Sequence, residues 1–284
     1  METGYIDLHT HTNLSDGKLS PEELIHRAIA AGIRVLAITD HNAVQPELPR
    51  LRRQFPQIEL VTGCEFSCRE PDIVTEIHIV GLDFDADHPA IVLALQRNRL
   101  DRRPRVEAIL KRLREECGID LGSYEQLLAE NPGSKFVGRA HIAQKMFRLG
   151  FVESVDRAYE EYIGDFGMRR AFVEKNLAYI PMEDAVGAIL AAGGIAILAH
   201  PLYYKLTEAR LEQLVAKAAA LGCMAMEVEY PCYDEAQQVY LSEMALRHGL
   251  LHSAGSDYHG IREGDTLEQR YPVRIYRSLM AGRK

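Results

Sequence analysis

Apolar positions along the chain fall into two alternating kinds of run. Seven short stretches are apolar through most of their length: YIDLH (5–9), VLAITD (35–40), IELVTGCEF (58–66), EIHIVGLDF (76–84), IAILAH (195–200), AMEVEY (225–230) and LLHSAGSD (250–257). Such runs fit strands buried on both faces, as in a parallel sheet. Between several of them the spacing is helical. Ser20-Pro21-Glu22-Glu23 joins a serine N-cap, a proline at the first position and acids in the first turn, and predicts a helix to about Gly32. PMEDAVGAILAAGG (181–194) predicts a second helix, ended by Gly193-Gly194. TEARLEQLVAKAAALG (207–222) and DEAQQVYLSEMALRHG (234–249) predict two more.

Strands alternating with helices imply βαβ units and an α/β fold with a parallel sheet. Seven strands suffice for a closed or nearly closed barrel. The alternation fails once, where about 110 residues separate the runs at 76–84 and 195–200. Within that interval, RVEAILKRLREECG and GRAHIAQKMFRLG are charged and helical in spacing. The expected organisation is a barrel from 1–96 and 179–284, with an inserted helical subdomain at 97–178 beside its mouth.

The strand ends carry the chemistry. The first run ends in His9-Thr10-His11, with Asp16 in the loop beyond. The second ends in Asp40-His41, the third in Gly63-Cys64-Glu65, the fifth in His200-Pro201 and the seventh in Asp257-Tyr258-His259, while the fourth carries Glu76-Ile77-His78. Residues two apart on an extended chain point the same way, so His9 and His11 can face one point. In a parallel barrel the C-terminal strand ends share one face, where active sites are built. A convergent set of imidazoles and carboxylates there calls for cations, since the carboxylates would otherwise repel. Imidazole and carboxylate donors suit Mn²⁺, Fe²⁺ or Zn²⁺. Asp40 is expected to orient an imidazole from behind. His26, His88, His248 and His252 stand outside the pattern.

Composition narrows the partners. The net charge of −8 and a pI near 5.8 argue against a surface that tracks long nucleic acid. A short anionic substrate remains compatible, because bound cations reverse the local field. The start METGYIDLHT lacks a basic segment followed by an apolar run, and no apolar stretch reaches the length of a membrane span. With five cysteines at scattered positions, the expectation is a cytoplasmic protein with reduced thiols and no membrane partner.

The set D-L-H-T-H-T-x-L-S-D-G, I-T-D-H-N, G-C-E-F-S, E-I-H-I-V-G, L-A-H-P and G-S-D-Y-H-G resembles the PHP (polymerase and histidinol phosphatase) family over essentially the whole chain. The resemblance implies a distorted seven-stranded β/α (TIM-like) barrel with two or three divalent ions, Mn²⁺ foremost. Carried over position by position, the ligands are His9, His11, Asp16, His41, Glu65, His78, His200, Asp257 and His259. The full set speaks for an enzyme rather than a non-catalytic, metal-stabilised module. Catalysis is expected to rest on Glu65, as a carboxylate bridging two ions, with His200, Asp257 and His259.

The segment KFVGRAHIAQKM (135–146), with the long insertion, resembles the branch of 3′,5′-nucleoside bisphosphate phosphatases, which is related to a 5′→3′ exoribonuclease. This implies a small nucleotide as substrate, hydrolysed at its 3′-phosphate to a 5′-mononucleotide. The alternatives are short 5′-phosphorylated RNA and then histidinol phosphate; no long duplex is expected. Substrate contacts are expected from Arg139 and His141 at a helix start, then from Lys135, Arg169 and Arg170. One departure stands out: where the branch has arginine then tyrosine after His-Pro, this chain has Leu202-Tyr203-Tyr204-Lys205, so a phosphate contact from that loop is expected either to be lost or to be moved to Lys205.

Overall fold

All seven apolar runs become strands in a computed structural model, which describes residues 4–99, 102–134, 136–164, 167–173, 179–261 and 264–283. The strands are β1 (Tyr5–Asp7), β2 (Ile33–Ile38), β3 (Glu59–Glu70), β4 (Val74–Leu82), β5 (Ile180–Pro181), β6 (Ile195–Leu198), β7 (Ala225–Glu229), β8 (Leu251–Ala254) and β9 (Tyr271–Pro272). The helices are α1 (Pro21–Ala30), α2 (Leu48–Gln54), α3 (Pro89–Arg99), α4 (Arg102–Cys117), α5 (Tyr124–Ala129), α6 (Arg139–Arg148), α7 (Val155–Ala158), α8 (Met182–Ala191), α9 (Glu208–Leu221), α10 (Glu235–Arg247) and α11 (Arg274–Gly282). At the start of α1, the Ser20 hydroxyl accepts the Glu23 N–H while the Glu23 carboxylate accepts the Ser20 N–H.

The sheet runs in the order β8-β7-β6-β4-β3-β2-β1-β9, so the seven long strands neighbour one another in chain order. It curls until its ends nearly meet. Leu8 N donates to Ala254 O at 3.2 Å, and Thr10 pairs in parallel with Tyr258. The result is an α/β fold with a nearly closed, distorted barrel.

The expectation of an all-parallel sheet is corrected at β4, which is antiparallel to both β3 and β6. The cause is local. The strand read as ending at Phe66 continues through Glu70, so only residues 71–73 join β3 to β4. A link that short closes a hairpin; a parallel partner needs a crossover of a dozen residues or more. The reversal brings the N-terminal half of β4 to the C-terminal ends of its neighbours, with His78 opposite Ser67.

Alternation along the strands separates two layers. Val61, Val80, Leu82, Ile195, Ile197 and Ala225 belong to an inner cluster that Tyr276 and Leu279 of α11 also join. Cys64, Phe66, Ile77 and Ile79 pack outward into a larger cluster with α8, α9 and α10. Glu65 and His78 therefore point inward with Val61 and Val80. A separate cluster draws only on residues 106–173, among them Ile109, Leu113, Ile142, Met146 and Ile163. Among the described residues no helix is long and apolar enough to cross a membrane.

Candidate metal centre

The loop after β1 wraps round a buried carboxylate. Asp40 Oδ1 accepts Thr12 N at 2.8 Å and the Ser15 hydroxyl at 2.6 Å, and Oδ2 accepts the Thr12 hydroxyl at 2.7 Å. Burial pushes its pKa up to about 6 despite the Ser15 and Thr12 donors. The expectation that Asp40 orients an imidazole is thus corrected: its hydrogen bonds go to the loop that presents Asp16.

Glu65 lies at the middle of the site, buried and inward-facing. Its Oε1 is 2.7 Å from His78 Nδ1 and 3.0 Å from His200 Nε2. Its Oε2 is 2.8 Å from His41 Nδ1 and 3.4 Å from both His9 Nε2 and His11 Nε2. Asp257 Oδ1 lies 3.3 Å from His9 Nε2 and 3.0 Å from His11 Nε2, while its Oδ2 accepts the Tyr230 hydroxyl at 2.8 Å. Asp16 reaches His259 Nε2 at 3.4 Å and His41 Nε2 at 3.8 Å. All nine expected ligand positions are therefore gathered in one place.

Three overlapping groups each bring their ligand atoms within 4.8 Å of one another: His11, Asp16, His41 and His259; His9, His11, Glu65 and Asp257; and His41, Glu65 and His78. The donors are imidazole and carboxylate, a set suited to borderline divalent ions. Buried His9 Nε2, His11 Nδ1 and Nε2, His41 Nδ1, Glu65 Oε2 and Asp257 Oδ1 have no hydrogen-bond partner. Leaving that many buried polar atoms unsatisfied is costly, and cations among them remove the cost.

Electrostatics point the same way. Burial raises the pKa of Asp16, Glu65 and Asp257, yet the surrounding imidazoles outweigh it and hold all three well below the usual carboxylate range. Burial opposes charge on His9, but Glu227, Glu65 and Asp257 together raise its pKa well above the ordinary value. His11 is driven down to about 3 by burial and then by the charge of His259.

Two supports of the site escaped the sequence reading. His200 (φ 26°) and Asp257 (φ 51°) occupy backbone conformations that L-residues rarely adopt. Glu227 is buried beneath both His9 and His200. A close approach adds a steric constraint: a Cβ on Gly255 would lie 2.3 Å from His9 Cβ and 2.9 Å from His9 N. Gly255→Ala is expected to cost about 1–3 kcal/mol, as overpacking typically does, and to push His9 out of the cluster. The denaturation midpoint and the metal content of the purified variant check this; wild-type values for both would show that the backbone has room.

Among the described residues, none of the expected substrate contacts belongs to the three candidate ligand groups. Arg139 begins α6, with Nη1 3.4 Å from Ile163 O and the guanidinium 5.8 Å from the Tyr159 ring. His141 is buried at the same helix start; its Nδ1 accepts Gly138 N at 3.1 Å, and its Nε2 is 3.4 Å from the Ser134 hydroxyl. Arg169 and Arg170 are exposed over the rings of Phe172 and Tyr162. Lys205 is exposed at the end of the turn after His200. Lys135 lies outside the described residues. The helical stretch between β4 and β5 meets the loop after β1 at Ser134, whose hydroxyl donates to Asn13 O at 2.8 Å.

Known proteins are similar in sequence and in fold. The PHP domain family matches residues 7–176. The chain is 38% identical over 254 residues to a protein of Haemophilus influenzae named 5′-3′ exoribonuclease, covering 89% of each. It is 32% identical over 266 residues to a 3′,5′-nucleoside bisphosphate phosphatase of Chromobacterium violaceum, covering 91% of this chain and 88% of that one. A solved structure of an amidohydrolase from Chromobacterium violaceum, with bound sulfate and no metal, superposes with a TM-score of 0.84 at 29% identity, over 98% of this chain and 97% of that one. A distorted barrel, a buried set of imidazoles and carboxylates at its strand ends and these relatives lead to one conclusion: the chain belongs to the PHP family and is a metal-dependent phosphoesterase.

Proposed function

We propose that the chain hydrolyses the phosphoester at the 3′ oxygen of a 5′-phosphorylated nucleoside, converting a 3′,5′-bisphosphate to a 5′-mononucleotide and phosphate. The observation that carries this reading is the contact of the insertion with the metal-centre loop. Ser134 binds Asn13, and Asn13 lies between His11 and Asp16. A helix start bearing Arg139 five residues on from Ser134 can then hold one phosphate while the strand ends hold the other. In this reading residues 97–178 cap a barrel made of 1–96 and 179–284, and the enzyme works in the cytoplasm.

His9, His11, Asp16, His41, Glu65, His78, His200, Asp257 and His259 would hold two or three ions, with Mn²⁺ first and Fe²⁺ or Zn²⁺ as alternatives. Divalent ions in such a site supply a hydroxide nucleophile near neutral pH and offset charge on the phosphoryl oxygens. The chain's own part is positional. Glu65 faces five imidazoles with two oxygens, Tyr230 fixes the rotation of Asp257, and Asp40 shapes the loop that carries Asp16. Lys205, at the rim, supports the reacting phosphate.

The similarity to the Haemophilus protein favours a second substrate with the same scissile bond. In short 5′-phosphorylated RNA the first 3′ oxygen occupies the same place. Cleavage there releases a 5′-mononucleotide and leaves a new 5′-phosphate on the shortened strand.

Arg139→Ala tests the two-phosphate arrangement. Loss of a charge-assisted contact of roughly 1.5–3 kcal/mol should lower kcat/KM for the bisphosphate about 10- to 100-fold. An aryl monophosphate, with no second phosphate, should be nearly unaffected. Equal losses on both substrates would mean that Arg139 serves the reacting phosphate or the fold.

A further inference from the structure

Glu227 lies in β7 among Ala225, Met226 and Val228, and is 1% exposed. A carboxylate in such a place needs partners. It has two, just past the ends of different strands. Its Oε1 is 2.8 Å from His9 Nδ1, and its Oε2 accepts the His200 backbone N–H at 2.7 Å. Glu227 is absent from all three candidate ligand groups, yet each partner belongs to a residue read above as a ligand. His9 turns its other nitrogen inward: Nε2 is 3.4 Å from Glu65 Oε2 and 3.3 Å from Asp257 Oδ1, with no hydrogen-bond partner. His200 is held at φ 26° and ψ 60°, a conformation that persists only where its surroundings enforce it.

We infer that Glu227 is a positioning residue that sets the tautomer of His9 and anchors the backbone of His200, so that one carboxylate prepares two ligands of the metal centre. An ionised carboxylate only accepts hydrogen bonds, so the proton of a neutral His9 sits on Nδ1 and the Nε2 lone pair is left for an ion. A carboxylate behind a ligating imidazole also fixes the ring orientation and raises its basicity. At His200 the bond holds the chain in the turn that brings Nε2 within 3.0 Å of Glu65.

Glu227→Gln separates these effects from simple packing. The amide offers one acceptor oxygen and one N–H donor group. The His200 N–H cannot change its role, whereas an imidazole can change tautomer. The oxygen therefore stays on His200, and the amide N–H faces His9 Nδ1. The His9 proton moves to Nε2, where it blocks an ion.

The inference rests on the reading of His9 as a ligand, so the test carries a control for that. Full-length wild type, Glu227→Gln and His9→Gln are freed of metal and titrated with Zn²⁺ against a competing chelator. Long-range ¹H–¹⁵N spectra of the zinc-loaded proteins then report the His9 ring, identified by its absence in His9→Gln. Wild type should show His9 protonated at Nδ1. Glu227→Gln should lose that signature and bind zinc about 10- to 100-fold more weakly, the usual loss when a ligand's supporting partner is removed. Zinc affinity within twofold of wild type, or an unchanged His9 signature in the variant, overturns the inference. If Glu227→Gln does not fold, the wild-type spectrum decides alone, and a His9 proton on Nε2 overturns it. If His9→Gln binds zinc as wild type does, the ligand reading itself fails. If His9→Gln loses zinc while Glu227→Gln keeps it, only the role of Glu227 fails.

Discussion

Glu65→Gln is expected to lower phosphoester hydrolysis by well over the roughly 100-fold that loss of a group behind a metal ligand brings, and to strip the purified protein of metal. The two oxygens of Glu65 lie 2.7–3.4 Å from five imidazoles, four of them just past β1, β2 and β6 and the fifth in β4. Among the described residues no other reaches so many. The amide keeps the shape but replaces one acceptor with an N–H donor, which faces imidazole nitrogens that need an acceptor or an ion. The backbone of Glu65 is fixed by pairing with Val80 in β4 and by its N–H to Thr39 O at 3.0 Å, so the change should stay local. Turnover of an aryl phosphate, far-UV dichroism and elemental analysis of one preparation check this. Wild-type turnover with wild-type metal content would remove Glu65 from the centre.

Chelation is expected to abolish turnover and to lower the melting temperature on the order of 10 °C, since metal at about 1,000 times its Kd adds roughly 4 kcal/mol of stability. Burial works against charge on His9 and His78, yet neighbouring carboxylates, Glu227 and Glu65 for His9 and Glu65 for His78, raise both pKa values above the ordinary histidine range. Protons on these rings then balance Glu65 and Asp257. Ions require neutral imidazoles, so binding must expel those protons. Affinity therefore falls as pH is lowered through the raised pKa values of His9 and His78 and is fullest above them. Calorimetry of metal binding at pH 7 in two buffers of different ionisation enthalpy should show proton release. Identical heats in both would mean that the rings are already neutral without metal.

Most of the candidate site was legible in the sequence because its residues break a strong rule. A run such as IAILAH or IELVTGCEF is written for burial, and a histidine or glutamate at its end has little to do there except ligate or hydrogen-bond. The direction of β4 was not legible from apolar character, which is the same for either direction. The informative signal was the polar continuation Ser67-Cys68-Arg69-Glu70, which is strand rather than loop and leaves a three-residue hairpin turn at 71–73. Glu227 escaped because it lies within AMEVEY rather than at its end; a carboxylate two residues after an inward-facing alanine was the available clue. Asp40 stands beside His41 in the sequence, but that proximity points to the wrong partner. Its bonds run to Thr12 and Ser15, in the loop after the neighbouring strand β1 rather than along the chain. Arg139 and His141 show the opposite limit. Their pattern marks a helix start, and nothing in that pattern tells a capping role such as that of His141 from a phosphate contact.

The central claim is that a metal-loaded site cleaves at the 3′ oxygen of a 5′-phosphorylated nucleoside. The most direct measurement is product identity. The metal-free chain is reconstituted with Mn²⁺, given adenosine 3′,5′-bisphosphate, and the released mononucleotide is identified by chromatography against both isomers. The expected products are adenosine 5′-monophosphate and one equivalent of phosphate, formed only after metal is restored. Adenosine 3′-monophosphate as the product, no hydrolysis by the loaded protein, or equal turnover in the presence of chelator would contradict it.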